Sequence, residues 1–101
     1  MNPIECKSQT ISSSQVDLSA FGFSQQTLEV AKLAYVSLMT PNANVAMSFI
    51  AGDTVTSGRG IALTGVDTYE VQGKANISNL KFIRIGATDC VVSITLGTRY
   101  V

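Results

Sequence analysis

The sequence contains no histidine and no tryptophan, and the missing histidine limits the chemistry that one chain can perform. Without it, neither a Ser-His-Asp nor a Cys-His catalytic arrangement is possible. The seven acidic residues are scattered singly, and a domain of 101 residues offers poor walls for a water-excluding cleft between two of them. Isolated carboxylates in turns are usually solvated turn formers rather than metal ligands. We therefore expect no catalytic site, no metal and no cofactor.

Charged residues are scarce as well. They make up 14% of the chain, and seven basic residues balance seven acidic ones, whereas globular proteins typically contain about 25% charged residues. A chain of zero net charge has no general field to attract nucleic acid or an anionic membrane, so we expect neither as a partner. Because few charges are available to solvate the surface of a small domain, we expect another subunit to cover part of it.

Only two cysteines are present, Cys6 and Cys90. They could form one disulfide, but two thiols are too few for a disulfide framework and lack the spacing of a metal site. We expect two free, buried thiols, because unpaired cysteine behaves as a small hydrophobic residue. The first residues do not have the pattern of a signal peptide, and no apolar run is long enough for a spanning helix. We expect the chain to be made and used in the cytosol.

The clearest structural signal is the stretch Leu80–Leu96. Two β-rich runs, Leu80–Ile85 and Cys90–Leu96, flank a short loop that contains glycine, which is typical of an antiparallel hairpin. The second run alternates, and its apolar face consists of Cys90, Val92, Ile94 and Leu96. The first run is apolar on both faces, which is typical of a central strand covered on both sides by core or by a partner. This run also contains Arg84, which either pairs with a carboxylate at a sheet end or lies at a subunit contact.

Other short runs also have the composition and alternation of strands. They are Lys7–Ile11, Val16–Leu18, Val45–Ile50, Ile61–Leu63 and Tyr69–Gln72. Between them we predict turns at Thr40–Asn44, Thr64–Asp67 and Gly73–Asn79, the last with one loose helical coil, and a loop over residues 51–60. That loop contains three glycines but lacks the Lys-Ser/Thr ending of a phosphate-binding loop. Short strands at intervals of about 8 to 12 residues predict an all-β fold, a small β-sandwich or jelly-roll-like domain.

The segment Thr27–Thr40 fits two structures. The residues that alternate as in a strand are Leu28, Val30, Ala34, Val36 and Leu38. Those that share one face of a helix are Leu28, Ala31, Tyr35 and Leu38. Ser24 could cap such a helix. We predict two strands, Gln26–Val30 and Leu33–Met39, joined by a tight turn at residues 31–32.

Residues 1–25 hold most of the serine and glutamine, and we interpret them as an extended N-terminal arm before a β-sandwich domain at 26–101. The arm is either a disordered terminus or an extended segment that packs on a neighbouring subunit. The second alternative would bury its apolar residues, which have nothing to pack against in a disordered tail. Its candidate anchors are Ile4, Leu18, Phe21 and Phe23. In the second case, deleting residues 1–23 leaves a folded domain with weaker attachment. The next candidates for a subunit contact, on the sandwich surface, are Tyr35, Met47, Phe49 and Arg84.

Four segments of the chain carry a resemblance to a known group of proteins. They are Gly52–Thr56, Gly60–Leu63, Ile77–Asp89 and Val91–Leu96. In this order, and over about residues 27–98, the chain resembles a group of small bacteriophage virion proteins. It departs from their pattern at Gly52-Asp53, where the order is usually reversed, at Val55, where proline is usual, and at Leu80, where an aromatic residue is common.

The resemblance implies a β-sandwich component of a phage particle and transfers no active site. The implied role is a capsid decoration or cement protein that bridges subunits of the major capsid protein, assembled in the host cytoplasm as a homo-oligomer, with a trimer favoured. An accessory protein of the head–tail region or the tail is the alternative. A carbohydrate-binding β-sandwich module is a third interpretation. It is disfavoured because sugar sites rely on exposed Trp or Tyr platforms, and the chain has only three tyrosines and no tryptophan.

Overall fold

The computed structural model describes residues 2–40, 43–50, 55, 60–64 and 68–98. Residues 41–42 of the predicted turn at Thr40–Asn44, residues 65–67 of the one at Thr64–Asp67, and residues 51–54 and 56–59 of the predicted loop at 51–60 lie outside the described residues. The first of the four segments that carry the phage resemblance, Gly52–Thr56, also lies outside them except for Val55.

The described residues form two antiparallel sheets, so the predicted all-β fold is confirmed. The strands are β1 (Asn2–Ile11), β2 (Val16–Asp17), β3 (Leu33–Leu38), β4 (Asn44–Ser48), β5 (Ile61–Thr64), β6 (Thr68–Gln72), β7 (Lys81–Ile85) and β8 (Cys90–Thr98). Sheet A has the order β1-β8-β3-β6 and sheet B the order β2-β7-β4-β5. Side chains from the inner faces of both sheets belong to one hydrophobic core, which makes the domain a β-sandwich.

Strand β8 lines the core with four alternating side chains. Cys90, Val92, Ile94 and Leu96 are all buried, as the alternation predicted. Across the core, sheet B contributes Val45, Met47, Leu63 and Phe82. The period of two in β8 therefore places every second residue in the core.

The predicted hairpin between the two runs of Leu80–Leu96 is wrong. Strand β7 pairs with β2 and β4 in sheet B, whereas β8 pairs with β1 and β3 in sheet A. The intervening residues, Gly86 to Asp89, cross from one sheet to the other, and Gly86 has the positive φ of 89° that glycine tolerates. The central position of β7 in its sheet agrees with its apolar character on both faces.

The first half of the ambiguous segment is helical, so the predicted strand Gln26–Val30 is wrong. Helix α1 spans Gln25–Val30, and the Ser24 hydroxyl accepts a hydrogen bond from the Thr27 backbone N–H at 3.2 Å. This cap satisfies one of the donors left open at a helix start. The strand predicted after the turn at residues 31–32 is confirmed as β3, and the loose coil predicted before β7 is a short helix, α2 (Lys74–Ser78).

The N-terminal residues are part of the sandwich rather than an arm outside it. Strand β1 pairs with β8 from Asn2–Thr98 to Ile11–Cys90, with one bulge between Pro3 and Glu5. A 3-10 helix, Leu18–Phe21, follows β2. The Phe21 ring lies 6.3 Å from the Phe23 ring and 5.7 Å from the Phe82 ring of β7. The proposed boundary at residue 25 therefore does not separate the segment from the fold.

Deleting residues 1–23 should unfold the domain, contrary to the expectation drawn from an arm. The truncation removes β1, exposes one side of β8 and takes Leu18, Phe21 and Phe23 out of the core. Each buried side chain of this size contributes about 1.5–3 kcal/mol, and a small domain has a total stability of only about 5–15 kcal/mol. We expect dispersed amide NMR signals from the full chain and none from the truncated one. A chain lacking only residues 1–3 should stay folded, and a cooperative melt of the larger truncation would contradict this assignment.

Replacing Ile94 by aspartate should destabilise the protein by about 3–5 kcal/mol. Ile94 is 0% exposed at the centre of β8, and the substitution places an unpaired charge there. Chemical denaturation of Ile94→Asp against the unmodified chain measures the difference. The matched control is Thr10→Asp, on the exposed face of β1, which should change stability by less than about 0.5 kcal/mol. Equal denaturation midpoints for all three proteins would refute the assigned facing of β8.

Candidate interaction surface

Half of the residues predicted to form a subunit interface lie in the core of the chain itself. Leu18, Phe21, Phe23 and Met47 are buried there, and Phe49 packs partly against the same core. Met47 stands opposite Phe82 in the register of sheet B, on its inner face. These side chains stabilise the fold, and the structure does not bring them together as a contact surface.

The remaining predicted interface residues lie at three separate places. Ile4 is 42% exposed at the bulge of edge strand β1. Arg84 forms an ion pair with Asp89, across the crossing between the sheets, so its predicted carboxylate partner is present. Tyr35 is half-buried on β3, in sheet A.

The outer face of sheet B carries an apolar patch that the interface prediction did not include. In the register of β4 and β7, Ala46 stands opposite Ile83, and Asn44 stands opposite Ile85. Because Met47 and Phe82 point into the core, these neighbours point outward. Ile83 and Ile85 are half-buried, and Ala62 of β5, opposite Ala46, is exposed.

One exposed side chain next to this patch extends it. Ile50 follows β4 and is 62% exposed, and its carbonyl accepts a hydrogen bond from the Lys81 Nζ at 2.9 Å. Lys81 is an outward residue of β7, opposite Ser48. Ala46 is only 2% exposed, so we define Ile50, Ala62, Ile83 and Ile85 as the apolar patch of sheet B. Among its described residues, only the rim carries charge, from Lys81 and from Asp17 opposite it on β2.

The outer face of sheet A is different in chemistry, because hydroxyl groups dominate it. The register of the sheet aligns side chains from all four strands in two rows. One row is Ser8, Ser93, Ser37 and Thr68, and the next is Cys6, Thr95, Tyr35 and Glu70. With strands about 4.8 Å apart, each row extends for about 14 Å. We call these eight residues the polar face of sheet A.

Tyr35, on the inner strand β3, interacts with Glu70, on the edge strand β6. The Tyr35 hydroxyl donates a hydrogen bond to the Glu70 carboxylate, and this bond and the negative charge raise the pKa of Tyr35. Gln72 donates from Nε2 to Glu70 Oε2 at 3.0 Å. One row away, Ser37 and Thr68 share a hydrogen bond of 3.1 Å between their hydroxyl oxygens. The carboxylate is therefore held in position by two neighbours on the same face.

The two cysteines are free, as predicted, but only Cys90 is buried, so the prediction for Cys6 is wrong. Cys6 stands opposite Thr95, whereas Cys90 stands opposite Ile11, five residues further along β1 and on the inner face. A separation of about 17 Å along a strand is too long for a disulfide. Hydrogen bonds from Ser93 and Thr95, both with 3.3 Å between oxygen and Sγ, lower the pKa of Cys6. Burial raises the pKa of Cys90.

Edge strand β1 is joined to α1 through a carboxylate on its other face. Glu5 accepts hydrogen bonds from the Thr27 hydroxyl and from the Ser24 backbone N–H, the second at 3.2 Å, and these bonds lower the pKa of Glu5. Lys7 lies 3.8 Å from the same carboxylate. This contact connects the bulged end of β1 to the start of α1, so the group has a structural role.

Neither a metal-binding cluster nor a membrane-spanning helix is found in the described ranges of the chain. No group of three or more His, Cys, Asp or Glu side chains within these ranges could hold a metal ion. None of the helices described there is long and apolar enough to cross a membrane.

Comparisons with family models, with curated protein sequences and with solved structures find no match. The candidate interaction surfaces are the apolar patch of sheet B and the polar face of sheet A, as the register of each sheet defines them.

Cys6 should react with iodoacetamide in the folded protein, whereas Cys90 should not. The reactive form is the thiolate, and the hydrogen bonds from Ser93 and Thr95 favour it at the exposed Cys6. Mass spectrometry of the modified protein identifies the labelled residue. Ser93→Ala removes one of these bonds and should shift the pH profile of labelling upward, with Ser8→Ala as the matched control. Equal labelling of both thiols, or an unchanged profile for Ser93→Ala, would contradict this account.

Proposed function

We propose that this chain is a structural protein of a bacteriophage particle, a decoration protein that stabilises the head by bridging capsid subunits. The observation that carries the proposal is the apolar patch of sheet B, because β7 has Ile83 and Ile85 on its outer face as well as Phe82 in the core. A central strand of this kind is expected where a partner covers the sheet. The resemblance of the segments from Gly60 onward to small phage virion proteins supports the same assignment.

Attachment through the apolar patch of sheet B would need no catalysis, only the burial of apolar surface against a neighbouring protein. Burying apolar surface contributes about 25 cal/mol per Å², so seating Ile50, Ile83 and Ile85 on a neighbour would stabilise each contact by a few kcal/mol. A shell of identical subunits repeats such a contact many times. Attachment through this face replaces the N-terminal arm as the proposed mechanism, because the arm residues are needed inside the fold.

The proposal includes partners and location. The major capsid protein, or another virion protein, covers the patch, and the protein acts in the virion after assembly in the host cytoplasm. A homo-oligomer, with a trimer favoured, would multiply the number of contacts per decoration unit. Placement at the neck or tail is the alternative, and the copy number per purified particle separates the two: a decorated head carries many copies and a neck or tail carries few. Absence from purified particles would overturn the structural role.

A charge in the patch should weaken attachment to particles that lack the protein by at least about tenfold. Ile83→Asp tests the centre of the patch, and Ile50→Asp tests a side chain that is 62% exposed, where a folding defect is not expected. Bound copies per particle are measured after sedimentation, against the unmodified chain. Thr10→Asp, on the outer face of the other sheet, is the matched control and should bind normally. Full occupancy by both patch variants would exclude this face as the attachment surface.

A further inference from the structure

We propose that the polar face of sheet A, centred on Tyr35 and Glu70, binds a neutral carbohydrate. The inference does not depend on the phage assignment, because it rests on a different sheet and on other residues. Its basis is the arrangement of one aromatic ring, one positioned carboxylate and a row of hydroxyl groups on a regular four-stranded surface.

The sequence disfavours a sugar site because it has few aromatic residues, but the register of sheet A places one of them, Tyr35, on this face, and its ring is the first element of the site. Of the three tyrosines, Tyr69 packs against the core and Tyr100 lies outside the described residues. Tyr35 is half-buried on the outer face, directly between Thr95 and Glu70 in the register. Its hydroxyl donates a hydrogen bond to Glu70 on the neighbouring strand β6. Aromatic rings in binding sites supply rigid apolar area with a polar end, which matches the apolar C–H face of a sugar ring.

The second element is the carboxylate of Glu70. A carboxylate offers about four acceptor positions on its two oxygens, and two neighbours, Tyr35 and Gln72, hold it on this face. Hydrogen bonds from sugar hydroxyls to an ionised acceptor are stronger than bonds between neutral groups. Because its position is fixed before binding, little conformational entropy is lost when a ligand binds.

The third element is the row of hydroxyl groups. Ser37 and Thr68 share one hydrogen bond, and Ser93 and Thr95 contact the Cys6 thiol. A hydroxyl has one donor and two acceptor positions, so each of these groups has hydrogen-bonding capacity for a ligand as well. A polyhydroxylated ligand can exchange bonds with such a row at low cost in desolvation.

The composition of the face disfavours other classes of ligand. Among its eight residues Glu70 carries the only formal charge, which is negative, so nucleic acid and acidic glycans would be repelled. Protein interfaces are depleted in serine and enriched in large apolar groups and arginine, whereas three of the eight residues here are serines. A neutral sugar is the ligand whose hydrogen-bonding groups match this surface.

The affinity should be low, because a flat sheet face buries a ligand on one side only. We expect dissociation constants of about 0.1–10 mM. The experiment is an amide NMR titration of the full chain with oligosaccharides derived from cellulose, starch and chitin, each to about 20 mM. The expected result is saturable shifts, for at least one of these probes, in residues of β3, β6 and β8.

Variants show whether the shifts report this site. Tyr35→Ala should weaken binding at least about tenfold and Glu70→Gln about three- to tenfold, whereas Ser13→Ala, at an exposed position outside the polar face, should change it less than about twofold. Tyr35→Phe keeps the ring and removes the hydrogen bond to Glu70, so it should retain part of the affinity. Melting curves of each variant establish that it is folded.

Four outcomes would overturn the proposal. The first two are the absence of any saturable amide shift with all the probes and saturable shifts confined to another surface. The other two are equal affinity of Tyr35→Ala and the unmodified chain, and amide shifts that depend on protein concentration when no sugar is present. The last result would assign the polar face to a second copy of the chain.

Discussion

The pairing of β8 on both of its edges is the constraint on which the rest of the domain depends. One edge of β8 pairs with β1, which brings Asn2 opposite Thr98, and the other pairs with β3. These contacts join residues near opposite ends of the chain, so sheet A closes only after most of the sequence is in place. Contacts between distant residues cost loop-closure entropy before they stabilise anything. The N-terminal strand is therefore required for the fold and cannot at the same time serve as a detachable device.

The hydrophobic period identified the strands and the facing of β8, but it did not identify which strands pair. A hairpin and a crossing between two sheets both present two alternating runs separated by a short loop with glycine. They differ in whether the apolar faces lie side by side or opposite each other. Here Phe82 of β7 and Ile94 of β8 approach the core from different sheets. The periodicity of a run shows which of its side chains share a face, but it does not show which strand the run pairs with.

Helix α1 was missed for a different reason. The six residues Gln25–Val30 are too few for the helical period to outweigh an alternation that fits equally well. The decisive local signal was Ser24, whose hydroxyl accepts from the Thr27 N–H, and whose own N–H bonds to Glu5 of β1. The first contact is readable as a capping residue in the sequence. The second depends on the folded position of β1, which sequence reasoning did not supply.

The candidate surfaces were predictable to unequal extents. The apolar patch of sheet B could be anticipated because one strand, β7, is apolar on both faces, and the prediction of a partner-covered central strand rested on that run. The polar face of sheet A draws on four strands that are far apart in the chain. It becomes visible only when the order β1-β8-β3-β6 and its register are known. Scattered serines and threonines have no sequence signature until a sheet aligns them.

The edges of the sandwich help to decide where partners bind. An open edge can recruit another strand, and natural sheets prevent this with bulges, proline, inward-pointing charges and short edge strands. Strand β1 has Pro3 and a bulge, and Glu5 and Lys7 stand opposite core residues of β8. Strand β2, at an edge of sheet B, has only two residues. These features protect two of the four edges, those formed by β1 and β2, and the other two edges are β6 and β5. Because the faces lie on opposite sides of one core, occupation of the apolar patch would leave the polar face accessible, and each can be tested without disturbing the other.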